Sequence, residues 1–255
     1  MIITMNIFWT IYFAVVGLIL GSFFNVVGLR IPEKKSLIYP GSQCPHCKHK
    51  LRWFELIPVF SFIFQLGKCR SCKTSISYIY PVMEAITGCL YAFTYAKLGW
   101  GIELLFALLL LSLIVIITVS DLVYMIIPDK ILLVFTVIFI ILKIMFPSEP
   151  WWDPIVGAVF GFALLFLIAI LSKGAMGGGD IKLFFVLGII LGLKYTFLTF
   201  LIATFLGAVF GILMMIARKY KKRKPIPFGP FIGAGAILSF FFGDNIISWY
   251  VSMFM

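Results

Sequence analysis

The chain has 255 residues, 62% of them hydrophobic and only 12% charged, with a mean hydropathy of +1.12. No soluble domain of this size tolerates that composition, and the apolar runs lack the weak alternation of a membrane β-barrel. The net charge of +11 does not point to nucleic acid, because the basic residues lie in loops between apolar segments, where membrane topology sets their frequency.

The composition predicts an all-α integral membrane protein, a polytopic helical bundle. The first apolar run, about Ile7 to Val27, has no Lys or Arg before it and none until Arg30. A secretory signal carries its charge at the front and a small-residue cleavage site behind, so this run reads as a retained span with its N-terminus outside. A polar segment from Arg30 to Tyr80 follows, holding nine basic residues against two acids, Glu33 and Glu55. That imbalance predicts a cytoplasmic loop domain over 30–80, between a first span in 1–29 and a multi-span domain over 81–255. Further spans are expected at about 81–97, 102–120, 130–146, 154–172, 181–193, 195–217 and 228–250, which makes eight. The sixth has only about a dozen residues before Lys194 and carries Gly188 and Gly192, so it reads as a short, tilted or partly inserted helix.

Charge supports this count. With eight crossings, 18 of the 21 basic residues fall on the cytoplasmic side, including Lys130, Lys173, Lys182 and the run Arg218, Lys219, Lys221, Lys222, Arg223 and Lys224. Lys97, Lys143 and Lys194 fall outside, and one span more or fewer would spoil the asymmetry.

Within the loop, Cys44-Pro45-His46-Cys47 and Cys69-Arg70-Ser71-Cys72 form two C-x2-C pairs separated by 21 residues. Two thiolate pairs at this spacing can close a tetrahedral zinc site that is structural, since four cysteine ligands leave no place for water. Disulfides are the competing reading, and a reducing cytosolic side disfavours them. His46 and His49 are possible substitute ligands but read more simply as solvated loop residues. Cys89, beside Gly88 in the second span, reads as a small packing residue.

Most of the ten acids have ordinary explanations. Glu33, Glu55, Glu103, Glu149 and Asp153 lie in loops or at interfaces. Asp129 after Pro128 is expected to cap the fourth helix or to be solvated, and Asp244 to mark the outer end of the last span. Glu84 lies one turn inside the second span, where a functional role and a structural one are evenly balanced. Asp121 ends the third span and Asp180 opens the sixth behind Gly177-Gly178-Gly179, both at the expected cytoplasmic face. Three residues without Cβ allow a sharp turn or the close approach of another chain. Two carboxylates held together cannot both ionise, so one can accept a proton from water while the other polarises a peptide carbonyl. A helix-end acid and a capping Asp are the plain alternatives. No H-E-x-x-H, G-x-S-x-G or phosphate-binding glycine loop competes with this pair.

These motifs together resemble the type IV prepilin peptidases, the G-x-G-D membrane aspartic proteases. The resemblance begins with Gly21-Ser22-Phe23-Phe24-Asn25-Val26-Val27 and Arg30-Ile31-Pro32. It continues through the two cysteine pairs flanking Glu55-Leu56-Ile57-Pro58 and Ser61, then Tyr80-Pro81 and Glu84. Asp121 with Ile127-Pro128-Asp129, Met176 to Leu183, and Pro227 to Ala236 complete it. It implies an enzyme of the cell membrane that cleaves the basic leader of prepilins or pseudopilins at the cytoplasmic face, with Asp121 and Asp180 catalytic. It also implies methylation of the new N-terminus from S-adenosylmethionine, with Gly67, Lys68 and Glu84 as candidate cofactor residues. The expected partners are pilin-like substrates and membrane lipids. A peptidase without methylation, a carrier whose acids bind a cation, and a scaffold whose zinc loop docks a partner are the alternatives.

Overall fold

A computed structural model of the chain describes residues 2–172, 176–217 and 226–253. Lys173 and the basic run Arg218, Lys219, Lys221, Lys222, Arg223 and Lys224, assigned above to the cytoplasmic side, lie outside the described residues. Helices account for the architecture, and among the described residues there is no β-strand beyond two isolated bridges. The chain divides into two compact units, Met1–Val123 and Tyr124–Met255.

The first unit contains α1 (Ile2–Arg30), the polar loop with a 3₁₀ turn (Trp53–Leu56) and a short α2 (Phe60–Phe64), then α3 (Ile79–Leu98) and α4 (Ile102–Tyr124). In lipid, helices associate through close packing, which small residues permit. Glycines provide that seam here. A Cβ on Gly17 would lie 2.7 Å from the Thr87 carbonyl of α3, and one on Gly28 would lie 2.9 Å from the Ile116 carbonyl of α4. Away from the loop, Phe13 stacks on Tyr95 at 5.0 Å and Trp9 meets Trp100 edge-on at 4.9 Å. Aromatics of this kind favour the membrane–water boundary.

The second unit comprises α5 (Asp129–Met145), α6 (Asp153–Leu171), α7 (Gly178–Ile216) and α8 (Gly229–Ser252). The 39 residues of α7 are not one rod. At Gly192 the backbone leaves the helix with φ 72° and ψ −179°, a conformation that favours glycine. Phe184 and Phe200 then meet with ring centroids 6.4 Å apart, whereas 16 residues of straight helix would separate them by about 24 Å. The segments 178–191 and 193–216 are therefore a hairpin.

This hairpin corresponds to the expected sixth and seventh spans, the sixth being the short helix 178–191. Counting its halves separately, the eight expected spans all have helical counterparts. Among the described residues five helices are long and apolar enough to cross a membrane by length and composition: α1, α4, α6, α7 and α8. The protein is a multi-pass helical membrane protein.

Three expectations need correction. Asp129 does not cap α5: the cap position is Pro128, and the Asp129 carboxylate accepts a 2.7 Å bond from Lys182 Nζ. Asp244 does not end the last helix, which runs to Ser252, and instead bonds Lys194 Nζ at 2.6 Å. Cys89 is exposed on α3 and not packed inside.

Candidate active site and metal centre

The four-cysteine site is built by repetition. The second cysteine knuckle reproduces the first 25 positions later, hydrogen bond for hydrogen bond. Cys44 N donates to His49 O as Cys69 N does to Thr74 O, Lys48 N to Cys44 O as Lys73 N to Cys69 O, and Leu51 N to Ser42 O as Ile76 N to Gly67 O. Lys48 and Lys73 both take φ 59°, the left-handed residue that closes each turn. Antiparallel bridges Gln43–Lys50 and Lys68–Ser75 brace the two bases.

The two knuckles bring four sulfurs together. All four Sγ atoms lie within 4.8 Å of one another, with Cys44–Cys72 at 3.7 Å and Cys47–Cys69 at 3.9 Å. A disulfide needs about 2.05 Å, and these cysteines are free. A tetrahedral ion with Zn–S bonds of about 2.3 Å sets sulfurs roughly 3.8 Å apart, so the set fits a metal ion. The local field favours thiolates at two positions. The Thr74 hydroxyl, 3.0 Å from Cys72 Sγ, and the Thr74 amide draw the Cys72 thiol down to about 6. The amides of Cys47 and His46 lower Cys44. Cys47 moves the other way, to about 11: the His49 amide lowers it, but burial and the neighbouring sulfurs outweigh that. Four crowded sulfurs resist full ionisation, and a central cation removes that resistance.

Two further acids tie the loop down. Glu55 is buried, and its Oε2 accepts from Arg52 N at 2.8 Å and meets His49 Nε2 at 3.2 Å. Burial would raise its pKa, but these partners outweigh it and hold the carboxyl below its ordinary range. Glu55 is thus no ordinary loop acid, and His49 is not simply solvated. Glu84, in the second turn of α3, accepts from Val59 N at 2.8 Å. Of the cofactor candidates, Gly67 (φ 67°) is closed by Phe62, whose Cζ would lie 2.9 Å from an added Cβ. Lys68 is exposed. None of these contacts forms a cradle for a nucleoside.

Asp121 lies in the last turn of α4 and is 6% exposed. Asp180 is the third residue of α7, half-buried, with its amide donating to Gly177 O at 3.1 Å. The glycine run before it is not a sharp turn. Gly177 is extended at φ −69°, and Gly178 and Gly179 are already helical. Smallness at two of them serves close approach instead: a Cβ on Gly179 would sit 2.8 Å from Ile127 Cβ, and one on Gly177 would sit 3.3 Å from Asp180 Oδ2. The segment before α5 therefore packs directly on the turn carrying Asp180, and the Lys182–Asp129 pair bridges the same two elements.

Sequence reasoning missed three residues: Glu55, Val59 and Asp153. Asp153, in the first turn of α6, accepts from Leu193 N at 3.0 Å and so caps the second half of the hairpin. The knuckle repeat was readable as C-x2-C-K at both sites. The contacts of these residues join positions 3 to 40 apart, and the long-range ones, Val59 with Glu84 and Asp153 with Leu193, leave no local pattern.

The fold and site define a helical membrane protein with four cysteine sulfurs placed to hold a metal ion and two acids at helix ends. Residues 15–98 match the Bacterial Peptidase A24 N-terminal domain, and residues 108–212 match the Type IV leader peptidase family. The prepilin leader peptidase/N-methyltransferase of Bacillus subtilis is 43% identical over 93% of this chain and 96% of its own length. The protein of the same name from Aeromonas salmonicida is 32% identical over 95% and 94%. That from Pseudomonas aeruginosa is 31% identical over 92% and 91%. No solved structure matches significantly. The chain belongs to the type IV leader peptidase family.

Proposed function

We propose that this protein is a membrane aspartic endopeptidase that removes the basic leader of type IV prepilins or pseudopilins at the cytoplasmic face, then methylates the new N-terminus. The observation that carries this reading is the near-full-length match to relatives bearing both activities in their name. Asp121 and Asp180 are the proposed catalytic pair. One carboxylate accepts a proton as water attacks the scissile carbonyl, and the other, protonated, donates to the carbonyl oxygen. Collapse of the tetrahedral intermediate returns a proton to the departing amine. Gly177, Gly178 and Gly179 support the turn that carries Asp180.

The metal is proposed to be zinc held by Cys44, Cys47, Cys69 and Cys72, shaping the loop and taking no part in hydrolysis. S-adenosylmethionine is the proposed methyl donor by analogy with the relatives' name; no step is assigned to Gly67, Lys68 or Glu84. The basic residues of the loop support a cytoplasmic placement, with the N-terminus outside.

Mass spectrometry of a prepilin co-expressed with the protein tests the reading. Wild type yields leader-less product, and Asp121→Asn or Asp180→Asn slows cleavage by about 10²–10⁴-fold while still inserting. Full cleavage by either variant overturns the catalytic assignment. A product heavier by one CH2 shows methylation, and its absence beside complete cleavage leaves a peptidase alone.

A further inference from the structure

Between the two knuckles the loop shows an apolar surface that the metal centre does not use. Trp53, Ile57, Phe60, Ile63, Phe64 and Leu66 are all exposed, Phe64 and Leu66 at 83% and 84%. Side chains of this size rarely cluster unburied without an occupant.

The backbone here is held by force. Pro58-Val59-Phe60 forms a γ-turn of positive φ, with Val59 at φ 62° and ψ −51° and Phe60 N donating to Pro58 O at 2.6 Å. That turn is strained, and a β-branched residue seldom occupies it. It persists because Val59 N–H is fixed by the Glu84 carboxylate of α3.

The anchoring fixes depth. Gly21 of α1 faces Glu84, since a Cβ there would lie 3.0 Å from Glu84 Cα. Gly21 lies nine residues before Arg30, the polar end of the apolar helix Met5–Arg30, which is about 13 Å of helix. The start of α2 is therefore tied to a level well inside the end of a spanning helix.

Charge matches the same surroundings. Lys50 and Arg52 precede the apolar stretch and Lys68 and Arg70 follow it, all exposed. Arg70 also lies over the Phe54 ring at 5.4 Å. Glu55, the one acid between positions 48 and 75, is turned inward to Arg52 N and His49.

We propose that residues 53–66 form an interfacial anchor, with Phe60, Ile63, Phe64 and Leu66 seated at the headgroup–acyl boundary of the bilayer beside α1 and α3, and the flanking cations on anionic headgroups. Apolar side chains with a basic rim sit at this boundary about 5–10 Å into the leaflet. The anchor holds the metal loop against the membrane plane. The proposal rests on the membrane-spanning α1 and is independent of the reaction assigned above.

The test uses the full, metal-loaded chain in vesicles of phosphatidylcholine and phosphatidylglycerol. An environment-sensitive fluorescent amino acid replaces Phe64, and in a second sample Lys48 at the tip of the first knuckle. Lipids brominated on the acyl chain about 5–10 Å below the headgroups should quench the probe at 64 by about twofold and leave the probe at 48 unquenched. Unquenched, water-like emission at 64 overturns the proposal. Blue-shifted but unquenched emission at 64 places a protein there, whether a second copy or another partner, and overturns it too.

Discussion

The loop between α1 and α3 and the hairpin of α7 reach order by opposite means. The loop contributes few buried apolar side chains, and its shape comes from four sulfurs, a repeated set of backbone bonds and two buried carboxylates. In the hairpin, Gly157 and Gly161 of α6 lie against Gly188, Gly192 and Phe184 of α7, backbone on backbone. Water is available to the loop, so directional bonds and a metal can specify it. In lipid, where apolar burial gives little drive between helices, close approach has to serve.

Removing the loop's metal should separate the two modes most sharply. Structural zinc contributes about 10–16 kcal/mol to small cysteine-ligated domains. Chelation, or Cys44→Ser, is expected to expose 30–80 to limited proteolysis while α6–α8 stay resistant. Equal resistance of the loop with and without metal would show that its hydrogen bonds suffice.

The hairpin should break at its glycines. An added side chain at Gly188 would run into the Gly157 carbonyl, a backbone atom that a rotamer change does not relieve. Gly188→Leu is expected to cost about 3 kcal/mol, read as loss of the α6–α7 pair by hydrogen exchange, with the metal content of the loop unchanged. Metal loss in that variant would couple the two modes.

The smallest effect falls on a residue where the hairpin borrows the loop's strategy. Asp153 caps Leu193 N across the kink, and Asp153→Ala should cost about 1 kcal/mol, seen as a modest drop in the thermal midpoint of the detergent-solubilised protein. Asp153→Asn should retain most of the stability, because an amide oxygen also accepts the Leu193 bond.

Much of this was legible in the chain. Apolar runs of about 20 residues and the skew of Lys and Arg are local signals, so the helical architecture and the eight-span count could be read directly. The paired C-x2-C spacing carried the metal centre for the same reason. Asp121 and Asp180 stood out because an ionisable group near an apolar run is costly. Tertiary structure alone decided the rest. That Gly192 folds α7 back on itself, that Gly179 before Asp180 serves contact with Ile127 and not a turn, and that Asp129 holds Lys182 depend on neighbours distant in sequence. So does the strained Val59 under Glu84. A residue's type states what it can do; which partner uses it is set by packing, and packing is not written in any local pattern.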